Sequence, residues 1–308
     1  MATGKATTAG AMTLGALGVL AFSMSLPATR VAVQQLDPWF VAFGRAVGAA
    51  VLAAGWLRLS GAPRPTREQW RRLVIVALGV VAGFPLFTSL ALTSQTSAHG
   101  AVVIALLPAT TAVLAVVRAG ERPRPLFWVA SGSGLVAVLA FLVLSGTVRG
   151  GVTVTDLYLL TAVGLCGLGY AEGGLLAREL GGARTICWAL IVALPLTVPL
   201  TLAAAVARPP HAGPAGWAAF GYLTVVSMFL GFFAWYAGLA RGGIARVGQI
   251  QLVQPVLTLL WSALLLNERV SLSAVAAALV VLVFVVVTQR SRTPGTTVRV
   301  DSVMAESR

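Results

Sequence analysis

The sequence predicts an all-α polytopic membrane protein with ten transmembrane helices arranged as two inverted five-helix repeats. Composition is the first observation behind this prediction: 58% of the residues are hydrophobic, 10% are charged, and the mean hydropathy is +0.90. Soluble globular domains contain about a quarter charged residues, so this composition excludes that class. The other two observations are ten apolar segments of near-spanning length and a motif that recurs once along the chain.

The recurring motif is a proline followed thirteen positions later by a Glu-Arg pair. Pro108 precedes the pair at 121–122 and Pro255 precedes the pair at 268–269, so both elements repeat at an offset of 147. The same offset matches Ala98 with Ala245, Thr111 with Thr258, and Val136 with Val283. Self-similarity at about half the chain length is typical of duplicated membrane transporters, whose halves face each other across a central site.

The ten apolar segments divide evenly between two repeats, and each approaches the ~20 residues that a bilayer core requires. The first repeat, 11–145, contains spans at 11–28, 38–57, 73–93, 98–117 and 126–145. The second repeat, 157–288, contains spans at 157–177, 185–206, 217–239, 247–266 and 273–288. Residues 1–10 form a polar tail, 146–156 form a linker, and 289–308 form a polar tail that we expect to be disordered.

Basic residues are distributed unevenly across this topology. Of the 22 Lys and Arg residues, 17 fall on one side, four fall on the other, and Arg45 lies inside a span. The positive-inside rule places the basic side, with both termini, in the cytoplasm, and the linker 146–156 outside. Because each repeat has an odd number of spans, the second repeat is inverted relative to the first. The net charge of +13 therefore belongs mainly to cytoplasmic loops and needs no nucleic-acid partner.

Together these features resemble the EamA-type carriers of the drug/metabolite transporter superfamily. The resemblance rests on the five-plus-five arrangement, Arg45 early in span two, the prolines in spans four and nine, and the glutamates that end those spans. It extends over about residues 11–290. It implies a multi-pass carrier of the cell (inner) membrane that exports amino acids or other small metabolites from a central cavity. Glu172 in span six is a departure, and could mark a subgroup with its own substrate or coupling.

Arg45 and Glu172 are the two clearly charged side chains that lie well inside predicted spans. A charge at bilayer depth costs at least ~2.5 kcal/mol on insertion scales, so it normally faces a cavity or a partner. Arg45 is a candidate substrate ligand because a guanidinium can hold a carboxylate in a bidentate pair; the alternative is a structural pair or a snorkelling side chain. Glu172 could bind a substrate ammonium group or carry a coupled proton; the alternative is a pair with Arg178 or with helix-end backbone.

Span nine carries a polar face that the first repeat lacks. Gln251, Gln254 and Thr258 are spaced i, i+3 and i+7, so they share one side of a helix. In the first repeat the residues equivalent to the two glutamines are Ile104 and Leu107. The duplicated scaffold therefore does not need these amides, and we predict that Gln251 and Gln254 bind substrate. Interhelical hydrogen bonding is the alternative.

The prolines and the deep aromatic residues complete the predicted site. Pro255 cannot donate to the carbonyl of Gln251, so that carbonyl is free for a ligand or water, and we predict that Pro108 and Pro255 shape the moving helices. Trp235 and Tyr236 are candidates for the wall of a substrate pocket, with ordinary packing in the bundle as the alternative.

No enzyme motif is present in the sequence. There are two histidines and no HExxH, Walker A or GxSxG pattern, so we expect neither an enzyme nor a metal or cofactor. The expected partners are a small-molecule substrate, the lipid bilayer and, through Glu172, a coupled proton. Two alternatives stay open beside an amino-acid exporter working by alternating access. One is a carrier of drug-like cations or nucleosides, and the other is a non-transporting intramembrane enzyme or scaffold.

Overall fold

The computed structural model describes residues 2–119 and 153–268, with isolated helical positions between 125 and 136 and between 272 and 283. Within these residues, eight helices are long and apolar enough to cross a membrane. They are α1 (Ala9–Val33), α2 (Pro38–Leu59), α3 (Arg67–Ala91), α4 (Ser97–Arg118), α5 (Val154–Leu180), α6 (Gly182–Ala207), α7 (Pro214–Gly242) and α8 (Ile244–Leu266). They correspond to predicted spans one to four and six to nine. Predicted spans five and ten lie outside the continuously described residues.

Polar caps set where several helices begin. At the start of α3, the Thr66 hydroxyl accepts from the backbone N–H of Gln69, whose side chain accepts from the N–H of Thr66. Thr153 and Asp156 form the same reciprocal capping box at the start of α5. Since each box satisfies two N–H groups that have no partner inside the helix, α3 and α5 begin before the apolar runs that predicted them. The predicted linker therefore loses its last residues to α5, and the helix leading into α1 likewise begins at Ala2, within the predicted tail.

The inverted repeat is visible in the irregular parts of the helices. The middle of α3, Ala77–Gly83, is π-helical, and so is the middle of α7, Leu223–Leu230. These segments occupy nearly equivalent positions at the repeat offset of 147. A π segment places about one more residue in each turn than an α-helix, and such segments are frequent at functional sites. Composition carries no signal for it, which is why the sequence did not predict these two segments.

The two helices that carry the repeated proline, α4 and α8, are each interrupted next to it. In α4, the regular helix ends at Ile104 and resumes at Leu107, just before Pro108. In α8, a 3₁₀ segment, Gln249–Val253, precedes Pro255. A proline lacks an N–H and its ring collides with the carbonyl four residues earlier, which favours a break at Pro108 and Pro255, although α6 stays helical through Pro195 and Pro199. The two helices consequently carry matched breaks at the same depth of the repeat.

The closest packing in the described bundle joins helices of different repeats. α1 packs along α7 and α3 along α5, and these two pairs are equivalent under the inverted repeat. α2 packs along α6, and α4 contacts both α5 and α8. The apolar core therefore lies between the repeats, and a cavity at this interface is reached by helices from both halves.

One helix crossing supplies a test of this packing. α3 and α5 approach so closely that a Cβ at Gly79 would lie 2.6 Å from the carbonyl oxygen of Leu165. We expect Gly79→Ala to destabilise the protein by about 1–3 kcal/mol, read as a lower unfolding temperature in detergent. The control is Gly55→Ala on α2, where a Cβ meets nothing within 4 Å. Equal unfolding temperatures for the two variants would show that the crossing is looser than described.

Candidate functional site

A cavity lies between the two repeats and is reached by seven of the eight described helices. Much of its wall is aromatic: the ring of Phe22 lies 4.9 Å from that of Phe232 and 6.4 Å from that of Tyr170. A wall that is mainly apolar with a few converging polar groups is typical of small-molecule sites. We call this space the Arg45 chamber, after the charged residue in its wall.

Arg45 reaches the chamber from α2 and is almost completely buried, with 2% of its surface exposed. Its Nε atom has no hydrogen-bond partner, and its guanidinium forms no hydrogen bond or ion pair with any residue in the described ranges. Nearby, the hydroxyls of Ser25 and Ser227 are hydrogen-bonded at 2.7 Å and join the two repeats. A buried charge without a counter-ion is costly, because desolvation of the ion is not offset. The arrangement is suited to binding an anion.

A second, smaller space adjoins the chamber, and we call it the glutamine compartment. Leu26, Leu107 and Gln254 line both spaces. The remaining residues of the compartment are Gln251, Pro255 and Thr258 of α8 and Ala101 and Ile104 of α4. The structure therefore brings the predicted residues Arg45, Gln251 and Gln254 to two adjoining spaces.

The amides of the glutamine compartment lack hydrogen-bond partners in the described part of the chain. Gln251 is 2% exposed, and neither its Oε1 nor its Nε2 has a partner. Gln254 is 6% exposed, and its Oε1 has none. The Tyr170 hydroxyl lies close to Gln251 without forming a hydrogen bond of normal geometry. Buried polar atoms are nearly always paired, so amides that both lack partners and line a cavity are candidates for binding a polar ligand.

Glu172 lies in a different place from Arg45 and lines neither space. Its side chain is 2% exposed and pairs with two arginines: Arg118 Nη2 lies 2.6 Å from its Oε2, and Arg72 Nε donates to its Oε1. Arg72 also pairs with Glu179 at 2.6 Å. We call Arg72, Arg118 and Glu172 the arginine latch. It ties α5 to α3 and α4 at the arginine-rich end of the bundle, so its carboxylate is already neutralised in this structure.

The opposite end of the bundle is closed by Glu268. Its carboxylate accepts from the backbone N–H groups of Ser97 and Ala98, both at 3.1 Å, and from the Ser97 hydroxyl at 2.9 Å. It thus caps the first turn of α4, where the helix dipole favours a negative charge. Ser97 also hydrogen-bonds to Ser262 of α8 at 2.8 Å. These contacts, which we call the Glu268 cap, join α8 of one repeat to α4 of the other.

Trp235 and Tyr236 lie behind the chamber wall and do not line it. Both are fully buried. The ring of Trp235 lies 5.2 Å from that of Tyr170, and the ring of Tyr236 lies 5.3 Å from that of Phe232. The Tyr236 hydroxyl donates to the carbonyl of Gly169 at 3.1 Å. In this structure the two side chains support the aromatic residues that form the wall.

Comparison with known proteins agrees with this architecture. The chain matches the EamA-like transporter family over residues 9–143 and again over 153–289. The chain belongs to the EamA-like transporter family. A Bacillus subtilis (strain 168) protein described as "Uncharacterized transporter YdeK" is 45% identical to this EamA-like transporter over 284 residues, covering 90% of this chain and 96% of that protein. An "Uncharacterized transporter" of Archaeoglobus fulgidus (strain ATCC 49558 / DSM 4304 / JCM 9628 / NBRC 100126 / VC-16) is 24% identical over 259 residues, covering 82% and 88%.

A solved structure supports the fold of this EamA-like transporter. A protein crystal structure that is 20% identical superposes with a TM-score of 0.67, covering 91% of this chain and 98% of that one. The predicted all-α fold of two repeats and the predicted family are thus confirmed, and the chain is a multi-pass membrane transporter rather than an enzyme. Among the described residues, no group of three or more His, Cys, Asp or Glu side chains could hold a metal ion.

One residue of the site was missed by the sequence. Cys166 of α5 lines the Arg45 chamber, one helical turn before Tyr170, whereas Cys187 on α6 does not. The sequence showed both as thiols in apolar segments, with no signal to separate them. Because these are the two cysteines of the chain, Cys166 can report on access to the chamber once Cys187 is replaced.

Proposed function

We propose that this EamA-like transporter exports a small metabolite that carries a carboxylate, an amino acid or a related compound, by alternating access. The observation that carries the proposal is Arg45, a buried guanidinium in the chamber wall without a partner among the described residues. A guanidinium presents parallel N–H groups that match the two oxygens of a carboxylate. A bound carboxylate would supply the counter-charge that the protein itself does not offer Arg45.

The positions of Arg45 and Glu172 argue against a cationic substrate. Glu172 is the acidic group that could have held a cation, but it is bound by Arg72 and Arg118 outside the chamber. No carboxylate lines the chamber or the glutamine compartment among the described residues. A drug-like cation has no carboxylate to pair with Arg45, so it would meet the like charge of Arg45 and no opposite charge. A nucleoside would leave the charge of Arg45 unmatched.

Alternating access is supported by the contacts that close the helix bundle at its two ends. Inverted-repeat carriers expose a fixed central site first to one side and then to the other by moving one bundle against its partner. Here the arginine latch and the Glu268 cap each bridge the repeats, at opposite ends of the bundle. Opening of either end requires its contacts to break while those of the other end persist. The arginine-rich end, where the latch lies, is the cytoplasmic end by the positive-inside rule, in the cell (inner) membrane.

Substrate flux tests this proposal directly. Purified protein in liposomes would be assayed by counterflow with labelled amino acids, nucleosides and cationic drugs. We expect saturable flux of one or more amino acids or related carboxylates and none of the cationic drugs. Flux confined to cations or nucleosides would overturn the proposed substrate class, and no flux of any labelled compound by folded protein would remove its support. Oriented vesicles then give the direction of net transport.

A further inference from the structure

The glutamine compartment is built from equivalent positions of the two repeats. Ile104 and Gln251 are related by the offset of 147, as are Leu107 and Gln254, and all four line this space. An apolar wall from α4 therefore meets an amide-bearing wall from α8. Since α4 takes the same broken-helix form with Ile and Leu at these positions, the amides are not required by the fold.

These amides present a defined hydrogen-bonding pattern. Gln251 has both a donor, Nε2, and an acceptor, Oε1, without a partner among the described residues, and Gln254 adds the acceptor Oε1. A purely apolar ligand would leave all three atoms unpaired and shielded from water, which is unfavourable. A charged group would find no opposite charge in the described lining. The complementary group is neutral, and both donates and accepts at adjacent atoms.

The compartment also adjoins the Arg45 chamber. Leu26, Leu107 and Gln254 belong to both linings, so a ligand held by Arg45 in the chamber lies next to the compartment. We propose that the glutamine compartment is a specificity subsite for a carboxamide at the end of the substrate opposite the carboxylate held by Arg45. This inference rests on the proposed function, because it assumes that Arg45 holds the carboxylate.

Two pairs of isosteric ligands test the subsite. In each pair, L-asparagine with L-leucine and L-glutamine with L-homoleucine, an isopropyl group replaces the carboxamide, and the two pairs differ in chain length. Binding to purified protein in nanodiscs would be measured by calorimetry. We expect at least one carboxamide to bind about tenfold or more tightly than its apolar partner. The double variant Gln251→Ile/Gln254→Leu carries the residues of the first repeat at these two positions. In this variant the preference for the carboxamide ligand should vanish or reverse.

The matched control is Gln249→Val, which also copies the first repeat, where Val102 is equivalent. Gln249 is buried with both amide atoms unpartnered among the described residues, but it does not line the compartment, so the preference should persist. Equal binding of both members of each pair to the wild type, lost in Arg45→Gln, would overturn the subsite and leave the proposed function intact. Binding of none of the four ligands by folded wild type would overturn the subsite together with the amino-acid assignment.

Discussion

Replacement of Arg45 by glutamine is expected to reduce carboxylate flux at least about 100-fold. The substitution removes two charge-assisted hydrogen bonds to the substrate while keeping a polar side chain of similar reach. Arg45→Lys keeps the charge but loses the planar fork, so we expect an intermediate loss of about tenfold. The measurement is counterflow of the carboxylate that saturates in the wild type. Arg208→Gln serves as the control, because Arg208 is 77% exposed and lies 3.7 Å from its partner Asp37.

The stability of Arg45→Gln separates a binding role from a structural one. A structural ion pair would lower the unfolding temperature when broken, since its partner would stay buried and unpaired. Arg45 has no such partner among the described residues, so removal of its charge should leave the unfolding temperature unchanged or raise it. A clear fall in that temperature, or normal flux in the variant, would contradict the assignment of Arg45 as a substrate ligand.

Cys166 allows the charge of the chamber to be tested without knowing the substrate. In a Cys187→Ala background, an anionic methanethiosulfonate should modify Cys166 faster than a permanently cationic one, because both must approach Arg45. In Arg45→Gln this preference should disappear. The same reaction, repeated with a transported carboxylate present, should slow if that carboxylate occupies the chamber.

Replacement of Glu172 by glutamine is expected to open the arginine-rich end of the bundle. The variant leaves the guanidinium groups of Arg72 and Arg118 side by side without the buried carboxylate that joins them. Loss of one partner from a buried ion pair costs about 3–5 kcal/mol, and the exposure of Arg118, 39%, lowers this figure by solvent screening. We therefore expect the population open at this end to rise about 10- to 100-fold.

The readout for Glu172→Gln is the modification rate of Cys166 by an impermeant thiol reagent added at the arginine-rich side. Glu179→Gln is the matched control, since Glu179 also pairs with Arg72 but is 44% exposed, and a surface pair contributes little. An unchanged rate in folded Glu172→Gln would show that the latch does not gate the chamber. The pH dependence of flux in the same variant tests the predicted role of Glu172 in carrying a coupled proton, because glutamine cannot titrate.

Most of the contacts that the sequence did not predict join residues that are distant along the chain. Arg72 and Arg118 lie 100 and 54 residues from Glu172, whereas Arg178, the partner that the sequence suggests, lies on the same helix. The depth and size of Trp235 and Tyr236 predict a place in the pocket wall, but their side chains face packing contacts and do not line the chamber. Depth along a span can be read from the sequence, whereas the direction a side chain faces depends on which helices pack around it.

The sequence by itself determined the class, the repeat, and which polar residues stand out from an apolar background. Those properties are local: hydropathy and charge decide insertion, an internal duplication is visible as an offset, and a proline removes one backbone N–H wherever it occurs. Only the tertiary structure decided that Arg45, Gln251 and Gln254 line adjoining spaces while Glu172 belongs to a latch. The physical reason is that the partners of a buried charge depend on packing: helices from opposite halves of the chain bring Arg72 and Arg118 to Glu172, but bring no counter-ion to Arg45 among the described residues.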